Sequence, residues 1–225
     1  MPYGEKTEEQ LIEFADKIFR FFELKKVKAV VMACNTTSAV TYEKLKNNYD
    51  FKIYPIIQSV SGILARMPVN KLGIFATPAT IKSGVYSQEI HKINKNMQVF
   101  GLDCPQWVKI VESRGENKPE NIDIIKSNLS LMLANKPDKI VLGCTHYPFL
   151  LPVLDKIAPK ELFIDPADYF AEFIKNDLIK NDLIKEDLTP VSEIFYVSSS
   201  PENFKKAGSI FYQINDLPRL VDLDA

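Results

Sequence analysis

Two cysteines in this chain stand where a thiolate could be made. Cys144 closes the run Lys139-Ile140-Val141-Leu142-Gly143 and is followed by Thr145-His146-Tyr147-Pro148. An apolar run of strand length that stops at Gly-Cys, followed by a proline suited to a helix's first turn, predicts a strand handing over to a helix N-terminus at Cys144. Exposed amides and the positive end of a helix dipole favour negative charge there, so the position suits a reactive thiol. The segment Lys28-Ala29-Val30-Val31-Met32-Ala33-Cys34-Asn35-Thr36-Thr37-Ser38 follows the same grammar. Two apolar strands, two terminal thiols and two polar caps imply two halves, each offering one sulfur to a shared cleft. Thiols on opposite sides of one carbon could take a proton from one face and return a proton to the other.

Other readings of these residues are weaker. Either cysteine alone reads as a small buried hydrophobe, and it is the repeated context that marks the pair as chemical. Cys104 is followed only by Pro105, with no polar cap, and keeps the structural reading. A metal site is poorly supported, because neither Cys-x-x-Cys nor His-x-x-x-His spacing occurs. A thiol phosphatase needs an arginine six residues after its cysteine, where Val40 and Leu150 stand instead. His91, in a lysine-rich helical stretch, is expected at the solvated surface. Thr77 and Thr80 read equally well as caps of the helix that follows them.

The elements that must position the cysteines follow from patterning. Thr7-Glu8-Glu9-Gln10 is a capping box, and Leu11, Phe14, Ala15, Ile18 and Phe22 recur at helical spacing, which predicts a helix from Thr7 to Leu24. Val27–Ala33 is expected as a strand buried on both faces, with helix over Asn35–Asn48, strand over Phe51–Ile56 and a short helix over Gln58–Ala65. A buried strand at Lys71–Thr77 precedes a largely helical Ala79–Asn94, a strand at Met97–Leu102, and helices over Pro105–Glu112 and Pro119–Asn135. After the strand into Cys144, helix is expected over Pro148–Ala158, a short strand over Leu162–Ile164, and a helix capped by Asp165-Pro166 that runs toward Ile184. Within it, Lys175-Asn176-Asp177-Leu178-Ile179 repeats as Lys180-Asn181-Asp182-Leu183-Ile184. A five-residue period fits no helical face, so this stretch reads as loop-like or frayed. Glu193–Ser198 is expected as strand, Pro201–Tyr212 as helix, and the tail after Asp216 as irregular. Such alternation implies an α/β fold of parallel sheets, with the cleft at the carboxyl ends of the strands. We expect two pseudo-symmetric α/β half-domains with the active cleft between them. The first comprises residues 1–66 and 191–225, the second residues 67–190.

Composition bounds the function. The 225 residues, 46% of them hydrophobic, suffice for a sizeable core. A net charge of −1 with only four arginines leaves no basic footprint for nucleic acid. No apolar run approaches the roughly 18 residues of a membrane span, and the N-terminus lacks signal-peptide features, which makes cytoplasm the expected location. Three cysteines, an odd number, favour free thiols over a disulfide framework.

Ala33-Cys34-Asn35-Thr36 and Leu142-Gly143-Cys144-Thr145-His146-Tyr147-Pro148 resemble the two signatures of the glutamate racemases, within the aspartate/glutamate racemase superfamily. Pro2-Tyr3-Gly4, Ala76-Thr77-Pro78-Ala79-Thr80-Ile81-Lys82-Ser83, and Cys104-Pro105 followed by Val111-Glu112 agree with that family in the same order. The likeness runs from Pro2 to about Pro201. It implies cofactor-independent interconversion of L- and D-glutamate, the D-isomer serving peptidoglycan, cell-wall biogenesis and cell shape, in a cytoplasmic homodimer. With no pyridoxal electron sink, two acid/base groups must flank Cα. By the resemblance, Cys34 takes the proton from D-glutamate and Cys144 takes it from L-glutamate. His146 tunes or relays protons to Cys144, and Glu112 is a further catalytic candidate. The resemblance also assigns the substrate's carboxylates and ammonium to Asn35, Thr36, Thr145, His146 and the backbone near Tyr3 and Gly4. The family pattern opens with a strand ending in Asp-Ser-Gly before Pro-Tyr-Gly, and the present sequence begins at the latter. The alternatives are a racemase-like protein impaired by that loss and a related racemase acting on aspartate.

Overall fold

The computed structural model describes residues 3–185 and 192–224. They form two compact units divided between Asp182 and Leu183. In the first, a 3-10 turn at Tyr3–Glu5 precedes α1 (Glu8–Leu24), β1 (Ala29–Met32), α2 (Asn35–Leu45), β2 (Lys52–Pro55) and α3 (Ile56–Leu64). Next come β3 (Lys71–Ala76), α4 (Pro78–Ser83), α5 (Val85–His91), β4 (Gln98–Asp103), α6 (Pro105–Glu112), α7 (Pro119–Leu133) and β5 (Lys139–Gly143). A 3-10 turn at Tyr147–Leu150, α8 (Leu151–Leu154), β6 (Phe163–Ile164) and α9 (Pro166–Lys180) complete it. The second unit holds β7 (Tyr196–Val197), α10 (Pro201–Gly208) and β8 (Arg219–Leu220).

All strand pairs are parallel, as the strand and helix alternation predicts. One sheet joins β1 to β2, and a second has the order β4-β3-β5-β6. Because β4 and β5 flank β3 on opposite sides, the chain reverses its direction of winding between β3 and β5. That reversal opens a crevice at the carboxyl ends of those two strands. Ala76 pairs with Gly143, so Thr77 and Cys144, one residue further along, emerge side by side. Leu72, Ile74, Phe75, Ile140, Val141 and Leu142 are buried, as strands covered on both faces require.

Local signals explain much of the rest. The Thr7 hydroxyl accepts from the Gln10 amide at 3.3 Å and Gln10 Oε1 accepts from the Thr7 amide at 3.2 Å, closing the predicted box at the start of α1. Leu11, Ala15 and Phe19 then bury the helix's apolar face, and Ala15 and Phe19 do so in a cluster with Val30, Met32, Leu45 and Phe51.

Several expectations need correction. β1 is covered on one face only: Val30 and Met32 are buried, while Val31 between them points to the opposite face and is 48% exposed. The helix expected over Ala79–Asn94 is broken at Gly84, whose φ of 66° ends α4 and starts α5. The helix expected over Pro148–Ala158 is a 3-10 turn followed by the single turn of α8. Pro152 has no N–H to give back along a helix, and it sits instead in the first turn of α8. The first of the two tandem words is helical within α9, not loop-like. Asp177 anchors it by accepting from Lys52 Nζ and, at 2.7 Å, from the Tyr54 hydroxyl. Those donors hold the Asp177 carboxyl below its ordinary range. Asp182, its equivalent in the second word, lies beyond the helix at φ 56°. In the second unit the tail after Asp216 is not wholly irregular. Arg219 and Val221 donate their amides to Phe195 and Val197, each at 2.8 Å, which builds β8 beside β7. Pro2, and residue 191 where a half-domain boundary was placed, lie outside the described residues.

Candidate active site

A cavity of about 320 Å³ opens at the carboxyl ends of β3 and β5 and is lined by Cys34, Cys144, Tyr3, Gly4, Thr36, Thr145, His146 and Glu112. These are the residues named from sequence, with the exception of Asn35. Cys34 is the N-cap of α2, and its thiol makes no capping bond, which leaves the sulfur available to the cavity. The local turn is held instead by the Cys34 carbonyl, which accepts from the Ser38 amide at 3.0 Å and the Thr37 hydroxyl at 3.1 Å. Cys144, directly after β5, is 8% exposed and its carbonyl accepts from the Tyr147 amide at 3.1 Å.

His146 stands between a thiol and a carboxylate. Its Nδ1 lies 3.9 Å from Cys144 Sγ and 3.4 Å from Thr145 Oγ1, while Nε2 lies 3.3 Å from Glu112 Oε1 at the end of α6. This chain of groups could carry charge or a proton between the sulfur and the cavity mouth. Three buried hydroxyls also meet at the site. Thr36 Oγ1 is 2.8 Å from Thr77 Oγ1 and 3.3 Å from Thr80 Oγ1, and the last two are 3.0 Å apart. Thr77 also caps α4, so the capping and cavity-lining readings both hold for it. Gly4 packs on this cluster. A Cβ there would stand 3.0 Å from Thr77 Cβ, so Thr77 would have to shift by a few tenths of an ångström. Burial, with a smaller contribution from Cys34, raises the phenol pKa of the neighbouring Tyr3.

Asn35 points elsewhere. Its Oδ1 accepts from the Tyr86 hydroxyl at 2.7 Å, and it lines an adjoining cavity of about 270 Å³ that shares Cys144 and Thr145 with the first. His91 is not a solvated surface group: it is half-buried, with Nε2 2.8 Å from the Met97 carbonyl oxygen. Cys104 is fully buried, and burial raises its thiol pKa, in keeping with the structural reading. Sequence reasoning missed Val108 and Lys109 as cavity-lining residues. The signal for Lys109 was its position three residues before Glu112, one helical turn away on the same face. Among the described residues, no cluster of three or more His, Cys, Asp or Glu is placed to hold a metal ion, and no helix is long and apolar enough to cross a membrane.

The ionisation of Cys144 departs from expectation. The element after it is a four-residue 3-10 turn with little dipole, and burial pushes its thiol up from 9.0 to about 11. The His146 and Tyr147 amides and the Thr145 hydroxyl pull the other way without overcoming burial, and Cys34 adds to the rise. An acid whose pKa is raised by folding ionises first in the unfolded chain. The stability it contributes is therefore intact below pH 9 and lost as pH climbs toward about 11. Urea unfolding across that window should show Cys144→Ser less sensitive to alkali than the parent by about 1.4 kcal/mol per pH unit. Parallel curves for the two proteins would mean that the thiol is not buried as described.

The match to known proteins bears on what this geometry is for. A family model described as Asp/Glu/hydantoin racemase matches residues 3–174. The chain belongs to that racemase family. The glutamate racemase of Carboxydothermus hydrogenoformans is 36% identical over 226 residues, a match that spans 100% of this chain and 83% of the relative. That of Trichodesmium erythraeum is 35% identical over 205 residues, 91% of this chain and 75% of the relative. Among solved structures, the Francisella tularensis glutamate racemase in complex with D-glutamate superposes with a TM-score of 0.90 at 29% identity, covering 100% of this chain and 84% of that one. As a racemase of this family the chain is an isomerase, and its mixed α/β fold with parallel sheets is that of the solved relatives.

Proposed function

We propose that this racemase interconverts L- and D-glutamate by proton transfer between Cys34 and Cys144. The observation that carries the proposal is that two thiols, from the ends of strands in different sheets, line one cavity with room for an amino acid. The relatives named glutamate racemase, and the one solved with D-glutamate, support the choice of substrate.

In the D-to-L direction the Cys34 thiolate takes the Cα proton, and the Cys144 thiol delivers its own proton to the opposite face. Cys34 is left as thiol and Cys144 as thiolate, and the reverse reaction or exchange with solvent restores the start. The upward shift at Cys144 suits its part as proton donor in this direction. In the other direction its thiolate needs support. His146, with Nδ1 3.9 Å from the sulfur and Nε2 3.3 Å from Glu112 Oε1, would supply that support through hydrogen bonding. Asn35, Thr36, Thr145 and the backbone at Tyr3 and Gly4 would bind the carboxylates and ammonium through neutral donors and acceptors. We further propose that the β1–β2 sheet and the four-stranded sheet belong to two half-domains that hold the substrate between them. The cellular role we infer is supply of D-glutamate for peptidoglycan by a cytoplasmic homodimer.

The test is incorporation of deuterium from D₂O at Cα, followed by NMR with L- and D-glutamate and, separately, with both aspartates. Uptake into both glutamate enantiomers with formation of the mirror isomer is expected. Faster exchange with aspartate would reassign the substrate, and no exchange with any of the four would sink the proposal.

A further inference from the structure

Tyr86 touches both cysteine-bearing turns, although it stands beside neither cysteine in the sequence. It is the second residue of α5 and is directed inward because Gly84, in the left-handed region, turns the chain between α4 and α5. Its side chain is 4% exposed and belongs to a core cluster with Ala76 and Val141. On one side the hydroxyl donates to Asn35 Oδ1 at 2.7 Å, immediately after Cys34. On the other, the ring edge lies against Gly143, immediately before Cys144. A Cβ at Gly143 would meet Tyr86 Cε2 at 3.2 Å and the Phe75 carbonyl oxygen at 2.9 Å. A side chain at Gly143 would meet the Phe75 backbone and would also push the Tyr86 ring away by a few tenths of an ångström.

The bond to Asn35 has a directional consequence. Asn35 is 3% exposed, its carbonyl oxygen is occupied by Tyr86, and its amino group has no hydrogen-bond partner among the described residues. Asn35 borders the cavity that also reaches Cys144 and Thr145. An amide whose oxygen is pinned cannot flip, so its two N–H donors stay turned away from Tyr86. An amino group that has no protein acceptor and borders a cavity is poised for an acceptor brought by a ligand.

We propose that Tyr86 is a positioning residue of this racemase: its hydroxyl orients the Asn35 amide as a donor to a substrate carboxylate, and its ring spaces the two cysteine turns. The proposal rests on the glutamate racemase reading. Tyr86→Phe removes one oxygen and keeps the ring. It should raise KM for glutamate roughly five- to tenfold, the size of one net hydrogen bond, and change kcat less than about twofold. Asn35→Ala should raise KM at least as much, and the double variant should be no worse than Asn35→Ala alone, because Tyr86 acts on KM through Asn35. An unchanged KM in Tyr86→Phe, or effects that add in full, would overturn the idea, since a merely structural role gives additive losses. A second readout does not depend on turnover. The Asn35 side-chain amide pair in a ¹⁵N spectrum should shift in Tyr86→Phe and should shift in the parent protein on addition of D-glutamate. If Tyr86→Phe does not fold, the parent's amide pair still decides: no response to D-glutamate would end the proposal. Absence of Cα exchange in the parent, with the Tyr86→Phe shift present, would instead remove the racemase reading and leave the Tyr86–Asn35 link standing.

Discussion

Replacing Cys34 or Cys144 by alanine should lower racemisation by about 10³-fold, within the range that a positioned acid or base supplies. The loss must be the same in both directions. Enantiomers are equal in free energy, so the ratio of kcat/KM for the two substrates is pinned at one whatever residue is removed. What should differ is exchange without inversion. Cys144→Ala keeps Cys34, whose thiolate can take the Cα proton and, after exchange with solvent, return a deuteron to the same face, so deuterium should enter D-glutamate and the label should stay in the D-isomer. Cys34→Ala should do the same with L-glutamate only. If both variants exchange both enantiomers, the proton moves through some other group. If either retains more than about a tenth of parental racemisation, that sulfur is not one of the two proton carriers.

The second large effect concerns the wall that carries Glu112. Trp107 is fully buried in α6, with its ring centroid 4.7 Å from that of Phe75 and 4.9 Å from that of Tyr147. Its indole N–H donates to Asn128 Oδ1 at 3.0 Å. Tyr147 in turn donates its hydroxyl to the Cys104 carbonyl at 2.9 Å, which ties the residue after His146 to the start of α6. Trp107→Ala should therefore cost about 3 to 5 kcal/mol of stability. In a chain of this size that lowers the melting temperature by roughly 6 to 20 °C. Trp107→Phe should lose less than half as much, because most of the ring contact remains. A loss under about 1 kcal/mol for the alanine variant in urea unfolding would contradict the packing described here. Loosening α6 should also weaken the His146–Glu112 contact, so activity measured well below the melting point should fall along with stability.

The contrast between α1 and α9 shows where sequence reasoning holds. The box at Thr7 and Gln10, and the burial of Leu11, Ala15 and Phe19, involve residues three or four apart, and such spacing is written directly into the chain. The tandem words of α9 read as loop-like because their period fits no helical face. Yet the first is helical, since Asp177 finds Lys52 and Tyr54 more than a hundred residues away. Val31 fails for a related reason: an apolar run announces a strand but not which neighbours will cover it.

The sequence by itself determined that this chain alternates strand and helix, that its sheets are parallel, and that Cys34 and Cys144 each sit at the carboxyl end of a strand. Those features rest on period, capping and turn chemistry, which act over a few residues. Tertiary structure alone decided which polar groups meet: Thr36 with Thr77 across 41 positions, Asn35 with Tyr86 across 51, and His146 with Glu112. It also decided that Cys144 is held toward its thiol form. Burial sums over neighbours brought together by the strand order β4-β3-β5-β6, and no local pattern encodes that sum.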